Sequence, residues 1–154
     1  MNLFKLIVTF FFVGNVRIAP GTIASFVTVI IFYAFAKYFN VFSFILTISA
    51  VTLLSFVAVG AYTTDLLEKD KSEIVIDEVI GQSIALLPLL ILVENTSLKF
   101  FMCIISLLFF RFFDIVKPFP INKIDKMNNT FGVIFDDILA GFFAALLLTF
   151  VLRL

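Results

Sequence analysis

Two adjacent acidic pairs lie in segments that are otherwise apolar. They are Asp77-Glu78 and Asp136-Asp137, and a glycine follows four residues after one aspartate of each pair, at Gly81 and Gly141. Carboxylates at membrane depth are costly to bury, so they are candidates for a functional site. One helical turn beyond an aspartate, a glycine lies on the same face and allows a helix, a metal ion or a headgroup to approach closely.

A third polar segment carries charges of both signs. Arg111, Asp114 and Lys117 recur at a spacing of three, which places them on one stripe of a helix, and Pro118 and Pro120 end that helix just beyond Lys117. The chain has no histidine, which excludes imidazole metal ligands, histidine general bases and phosphohistidine intermediates. Carboxylates combined with arginine and lysine favour Mg²⁺-dependent phosphoryl chemistry. In such a site the carboxylates bind the metal ion, and the arginine and lysine side chains bind the phosphate.

The composition places these groups at a membrane. The chain has 154 residues, of which 62% are hydrophobic and only 14% charged, and its mean hydropathy is +1.19. We therefore expect an all-α polytopic membrane protein, a single membrane-embedded domain over residues 1–154, with about five transmembrane helices and a short N-terminal apolar helix within residues 3–13. The five apolar runs that predict the spans are residues 18–36, 38–64, 79–93, 100–110 and 138–152.

Threading these spans in order brings four polar stretches to one membrane surface. The stretches are residues 14–25, 70–81, 111–125 and 132–141. The same side carries eight of the eleven basic residues, which indicates the cytoplasmic face. The convergence predicts one active site at the level of the lipid headgroups. A formal net charge of zero gives no electrostatic case for nucleic acid.

The four stretches contain sequence blocks that resemble the phosphatidylglycerophosphatase A family. The blocks are APGTIAS (19–25), EIVIDEVIGQ (73–82), FRFFDIVKPFPI (110–121) and GVIFDDILAG (132–141). Ala24 and Lys71 depart from the family pattern, which more often has glycine and proline there, and neither change removes a metal-binding group. In the first block, Ala19-Pro20-Gly21-Thr22 is expected to form a turn in which Thr22 caps the first span and exposed amides face an anion.

This resemblance implies a Mg²⁺-dependent phosphatase of the bacterial cytoplasmic membrane. Its substrate would be the lipid phosphatidylglycerophosphate, and its products phosphatidylglycerol and inorganic phosphate, formed in phospholipid biosynthesis at the cytoplasmic face. The expected metal ligands are Asp77, Glu78, Asp136 and Asp137, one of which alternatively orients the attacking water. Asp114 and Asp70 are further carboxylate candidates. Arg111 and Lys117 are expected to bind the substrate phosphate together with Gly21 and Thr22. Direct attack by water and an aspartyl-phosphate intermediate both remain open, as does the oligomeric state.

Other interpretations of the same residues remain. Asp136 and Glu78 would simply cap helix starts if they lay at the ends of their spans, and basic residues near span ends often only reach towards the headgroups. A small transporter or channel would use the clustered carboxylates to couple protons or ions. Such a path should distribute acids across the membrane, whereas here they cluster towards one face. Cys103 is expected to serve packing alone.

Overall fold

A computed structural model describes residues 3–38, 40–64 and 72–154, and within these ranges the chain is helical without any strand. The all-α prediction is confirmed. The described residues form seven α-helices and one 3₁₀ turn, Val13–Asn15. The helices are α1 (Leu3–Val8), α2 (Pro20–Phe35), α3 (Val41–Tyr62), α4 (Ile76–Leu92), α5 (Thr96–Val116), α6 (Ile121–Asp125) and α7 (Thr130–Leu152).

The five long helices coincide with the five apolar runs of the sequence. Two of them, α3 and α7, are long and apolar enough to cross a membrane, and α2 is apolar but shorter. Membrane association is therefore supported, whereas the number of spans remains a prediction. The short helix expected within residues 3–13 is confirmed only in its first part, because α1 spans Leu3–Val8 and the positive φ angles of Phe10, Phe11 and Phe12 end the helical conformation. The short helix α6 was not anticipated, because five residues are too few to show a helical period.

The crossing of α4 and α7 is the structural basis of the polar end of the bundle. Gly81 of α4 and Gly141 of α7 face each other so closely that a methyl group added at Gly141 would lie 2.9 Å from the Gly81 carbonyl carbon. The same helices bury Ala85, Ala140 and Ala144 in one apolar cluster. Small residues thus let the two backbones approach, and the predicted role of both glycines in close approach is confirmed.

The helix caps correct two expectations. Asn129 caps α7 by accepting a hydrogen bond from the Gly132 amide at 2.8 Å, so Asp136 lies in the second turn of that helix and the capping interpretation of Asp136 was wrong. The expectation that Thr22 caps α2 was also wrong, because α2 begins at Pro20 without any side-chain cap. Proline suits this first position because it lacks an amide that would need a partner.

The N-terminal segment packs against the chain just before α4. The carbonyl of Val8, the last residue of α1, accepts a hydrogen bond from the Val75 amide at 2.9 Å. Beyond α1, Phe10, Phe11 and Phe12 have positive φ angles, so the chain does not continue as an α-helix. Glu73 is held from two sides, by Lys5 at 3.4 Å and by the Tyr62 hydroxyl at 2.6 Å. These contacts fix the entry to α4, which carries the first acidic pair.

Candidate active site

A polar cavity of about 300 Å³ lies where the first turn of α4 meets the end of α5 and the second turn of α7. Three of the four predicted polar stretches contribute to its lining, and so do both acidic pairs. The charged residues in its wall are Asp77, Glu78, Arg111, Asp114, Lys117, Asp125, Asp136 and Asp137. The structure thus brings together the predicted carboxylates and cations of the described residues. Asp70 lies outside the described residues.

Asp77, Glu78 and Asp137 form the tightest acidic group. Each offers a carboxylate oxygen, and these oxygens lie within 4.8 Å of one another. Asp77 and Asp137 are almost fully buried, with 6% and 4% of their surfaces exposed. In addition, Glu78 Oε2 is buried without a hydrogen-bond partner among the described residues. Buried carboxylates this close together repel one another, and oxygen ligands of this kind suit a hard divalent cation such as Mg²⁺.

Lys117 binds Asp136, the predicted carboxylate of the two pairs that is not part of that acidic group. Its ammonium donates hydrogen bonds to Asp136 Oδ2 at 2.7 Å and to Asp125 Oδ1. Lys117 follows α5 in a left-handed conformation, with φ 46°, which turns its side chain out of the Arg111 stripe. Burial lowers the pKa of Lys117, but the hydrogen bonds to Asp125 and Asp136 outweigh this effect and raise the pKa above its usual value. Lys117 therefore stays charged, and Asp136 pairs with it while keeping a second, buried oxygen without a partner among the described residues.

Arg111 and Asp114 form an ion pair one helical turn before Lys117. Arg111 Nη1 lies 2.5 Å from Asp114 Oδ2, and both side chains are largely shielded from solvent. Arg111 Nε is buried and has no hydrogen-bond partner among the described residues. Because Arg111 lines the cavity, this unused donor remains available for an anion. The spacing argument for Arg111 and Asp114 is thus confirmed as a direct contact.

Gly21 packs against the Glu78 side chain but is not part of the cavity lining. A methyl group added at Gly21 would lie 2.8 Å from the Glu78 carboxyl carbon and overlap its oxygen. The start of α2 therefore supports the acidic group from outside. Neither Gly21 nor Thr22 lines the cavity, so their contact with a substrate phosphate remains a prediction.

Asp125 is the site residue that sequence reasoning missed. It lies eight residues after Lys117 on α6, a helix whose existence was not foreseen, and it lines the cavity. The available signal was its place in the third polar stretch, between two lysines. Without the turn at Lys117, nothing in a helical spacing indicated that Asp125 folds back onto that lysine.

Comparison with known proteins gives the family. The model of the family described as "Phosphatidylglycerophosphatase A" matches residues 6–152. The chain belongs to this family. A curated relative from Haemophilus influenzae, named "Phosphatidylglycerophosphatase A", is 32% identical over 95% of this chain and 86% of its own length. A relative from Bacteroides thetaiotaomicron, named "Putative phosphatidylinositol-3-phosphatase", is 34% identical over 93% of this chain and 89% of its own. No solved structure matches the chain.

Membership of the phosphatidylglycerophosphatase A family confirms the assignment made from the four sequence blocks. The chain is accordingly a phosphatidylglycerophosphatase, a hydrolase of phosphoric monoesters. The match extends over nearly the whole chain and covers every charged residue of the cavity. The transporter interpretation is not favoured by these findings.

Proposed function

We propose that the chain hydrolyses the terminal phosphomonoester of phosphatidylglycerophosphate in a Mg²⁺-dependent reaction within the cavity between α4, α5 and α7. The observation that carries this proposal is the meeting of three closely spaced carboxylates with two cationic side chains in one polar cavity. Neither half would suffice for phosphate hydrolysis, because the acids alone repel the substrate and the cations alone bind it without activation.

Asp77, Glu78 and Asp137 would hold the magnesium ion. Their oxygens are close enough to share one cation, and Glu78 Oε2, which has no hydrogen-bond partner among the described residues, provides a free ligand atom. When bound, Mg²⁺ polarises a phosphoryl oxygen and offsets its negative charge. Gly21 keeps Glu78 in place, since any larger residue there would displace its carboxylate.

The cations of the chain bind the phosphoryl group. Arg111 is fixed by Asp114 and directs its unused Nε donor to the phosphate, while Lys117 stays charged between Asp125 and Asp136. Positive groups held in place before the reaction stabilise the charge that develops on the phosphoryl oxygens in the transition state. Removal of either cation should therefore reduce turnover more than folding.

Asp136 orients the attacking water through its second oxygen, Oδ1, which is buried and without a partner among the described residues. The water oxygen forms a new bond to phosphorus as the ester P–O bond breaks, and the departing lipid oxygen takes up a proton to give phosphatidylglycerol. A covalent aspartyl-phosphate would use the same carboxylates. Acid quenching with substrate labelled in its terminal phosphate separates the two routes, because only the covalent one leaves label on the protein.

The proposed setting is the bacterial cytoplasmic membrane, with the five long helices crossing it and the cavity at the cytoplasmic headgroup level. The exposed apolar side chains of α3 and the excess of basic residues at the cavity end support this orientation. In spheroplasts, a cysteine at Lys126, with Cys103 replaced by alanine, should resist membrane-impermeant maleimide until the membrane is opened. A cysteine at the exposed Lys37 should react from outside. The reverse pattern would overturn the orientation.

The function is tested by phosphate release from phosphatidylglycerophosphate in mixed micelles. Release should require Mg²⁺, stop with EDTA and fall below detection in Asp137→Asn. The matched control is Glu94→Gln, which neutralises an exposed acid outside the cavity and should retain full activity. Phosphatidylinositol 3-phosphate, suggested by the name of the Bacteroides relative, should be assayed in parallel. Preferential phosphate release from that lipid would support the proposed site but change the assigned substrate. Normal activity of Asp137→Asn would contradict the proposed site.

A further inference from the structure

We propose that the apolar groove between α2, α3 and α4 binds an acyl chain of the phospholipid substrate while its phosphate occupies the polar cavity. This inference rests on the proposed function, because it concerns the tail of the lipid whose headgroup is hydrolysed. It assigns a binding role to residues that take no part in the chemistry.

The groove is a distinct cavity of about 240 Å³. Its walls are formed by one face of each of the three helices, and Phe10 of the N-terminal segment adds to the lining. At one end, Phe32 and Phe44 meet edge to face with ring centroids 5.5 Å apart. At the other end lie Val79 and Ile80, which follow Glu78 directly in the sequence.

The three hydroxyl groups of the lining do not make the groove polar. Thr28 donates to the Ala24 carbonyl at 2.8 Å, Thr47 to the Ser43 carbonyl at 2.9 Å and Ser83 to the Val79 carbonyl at 2.7 Å. Each hydrogen bond returns to the residue's own helix, so these donors are already used. The remaining lining is aliphatic and aromatic. Such a surface offers water few partners and suits a hydrocarbon chain.

The groove and the polar cavity share α4, and α2, which lines the groove, contacts Glu78 of the acidic group at its start. On α2, Gly21 contacts Glu78 and Thr28 lies two turns further along the same face, about 10 Å away at 1.5 Å per residue. On α4, Ser83 lies only about 8 Å beyond Glu78 by the same measure. Both helices run away from the acidic group, so the groove continues in the direction that a lipid tail takes from its headgroup.

The outer wall of the groove indicates how an acyl chain enters. It is formed by α3, which is long and apolar enough to cross a membrane and leaves Leu46, Leu53 and Leu54 exposed. A helix of this kind is surrounded by lipid, so the groove lies at the depth of the hydrocarbon layer. A substrate diffusing in the bilayer can insert one tail from the side without leaving that layer.

The test compares two phenylalanine substitutions on α3. Both positions are exposed on α3, but only Thr47 lines the groove, so Thr47→Phe narrows the groove and Ser49→Phe adds the same side chain outside it. Both are assayed with dioleoyl phosphatidylglycerophosphate and with its deacylated, water-soluble headgroup. Displacing about two methylene groups from an apolar site weakens binding about tenfold. We expect Thr47→Phe to raise KM for the dioleoyl lipid about tenfold and to leave kcat/KM for the headgroup unchanged. Ser49→Phe should change neither value. Equal loss on both substrates, or equal effects of both variants, would overturn the proposal.

A binding measurement separates this proposal from the proposed function. A bimane fluorophore is attached at Thr47→Cys in a background that also carries Cys103→Ala and Asp137→Asn, in phosphatidylcholine nanodiscs with Mg²⁺. The Asp137→Asn substitution prevents turnover while the metal remains present. A phosphatidylglycerophosphate carrying a spin-labelled acyl chain should quench it, and unlabelled phosphatidylglycerophosphate should restore the fluorescence. Competition by added phosphatidylcholine at the same concentration would show that any bilayer lipid fills the groove and would refute specific binding. Quenching that depends on a higher ratio of protein to nanodisc would indicate a second copy of the chain and would also refute it. Absence of phosphate release by the unaltered protein would contradict the proposed function alone.

Discussion

The contact between Gly81 and Gly141 sets the distance across the acidic group, and a single methyl group should disturb it. Each glycine lies one turn beyond an aspartate of that group, Asp77 on α4 and Asp137 on α7. A β-carbon at Gly141 would overlap the carbonyl oxygen of Gly81 and would lie 2.9 Å from its carbonyl carbon and 3.0 Å from its α-carbon. Restoring an ordinary carbon–carbon separation of about 3.5 Å requires the helices to move apart by about 0.5–1 Å.

Two opposing terms limit the effect of Gly141→Ala on stability. Overpacking typically costs about 1–3 kcal/mol, and alanine returns about 1 kcal/mol of helix propensity relative to glycine. The free energy of unfolding should therefore fall by no more than about 2 kcal/mol. Activity is more sensitive, because a displacement of about 1 Å at a reacting centre reduces the rate about 100-fold. We expect a large loss of phosphate release from a protein that remains folded.

The assay measures thermal unfolding in detergent and Mg²⁺-dependent phosphate release for Gly141→Ala and for Gly60→Ala. Gly60 on α3 is the control, since a β-carbon there would meet Thr130 Oγ1 at an ordinary 3.7 Å. Gly60→Ala should retain activity and gain slightly in stability. If Gly141→Ala keeps its activity within about threefold of the unaltered protein, the helix crossing does not set the geometry of the site and the reasoning fails.

Three further predictions concern single side chains. Arg111→Lys should lower kcat at least about tenfold because lysine lacks the planar Nε donor, and an unchanged kcat would show that the charge alone suffices. Asn129→Ala should destabilise the protein by about 1 kcal/mol through loss of the α7 cap, seen as a lower melting temperature, with kcat retained once folded protein is compared. Cys103→Ala should leave phosphate release unchanged because the thiol is buried away from the cavity, and inactivation of this variant would contradict a packing role.

The sequence predicted the helices, and which charged side chains lie together in one cavity, better than it predicted the contacts between those side chains. The long apolar runs fixed the approximate places of α2, α3, α4, α5 and α7, since such runs leave few alternatives to helices. Helix ends were less predictable. The α7 helix begins six residues before Asp136 because Asn129 caps it, and a short polar cap leaves little trace in a hydropathy pattern.

Side-chain partners depended on backbone features that no spacing reveals. Lys117 was expected to continue the stripe of Arg111 and Asp114. Its left-handed backbone instead carries the ammonium to Asp125 and Asp136. The close approach of Gly21 to the Glu78 carboxylate was not foreseen, and its contact with a phosphate remains a prediction. In both cases the residue type was informative, whereas its neighbour was set by tertiary packing.

The two adjacent aspartates of α7, Asp136 and Asp137, contact different parts of the site. Neighbouring side chains on a helix point about 100° apart, so Asp136 and Asp137 cannot face the same partner equally well. Asp137 lies with the acids of α4 beside the glycine crossing, and Asp136 lies with Lys117 at the end of α5. One helical turn therefore connects the acidic group that suits a metal to the cation that suits a phosphate. A rigid helix therefore fixes the distance between the proposed metal ligands and the proposed phosphate-binding lysine. Loops from separate segments would fix that distance less accurately.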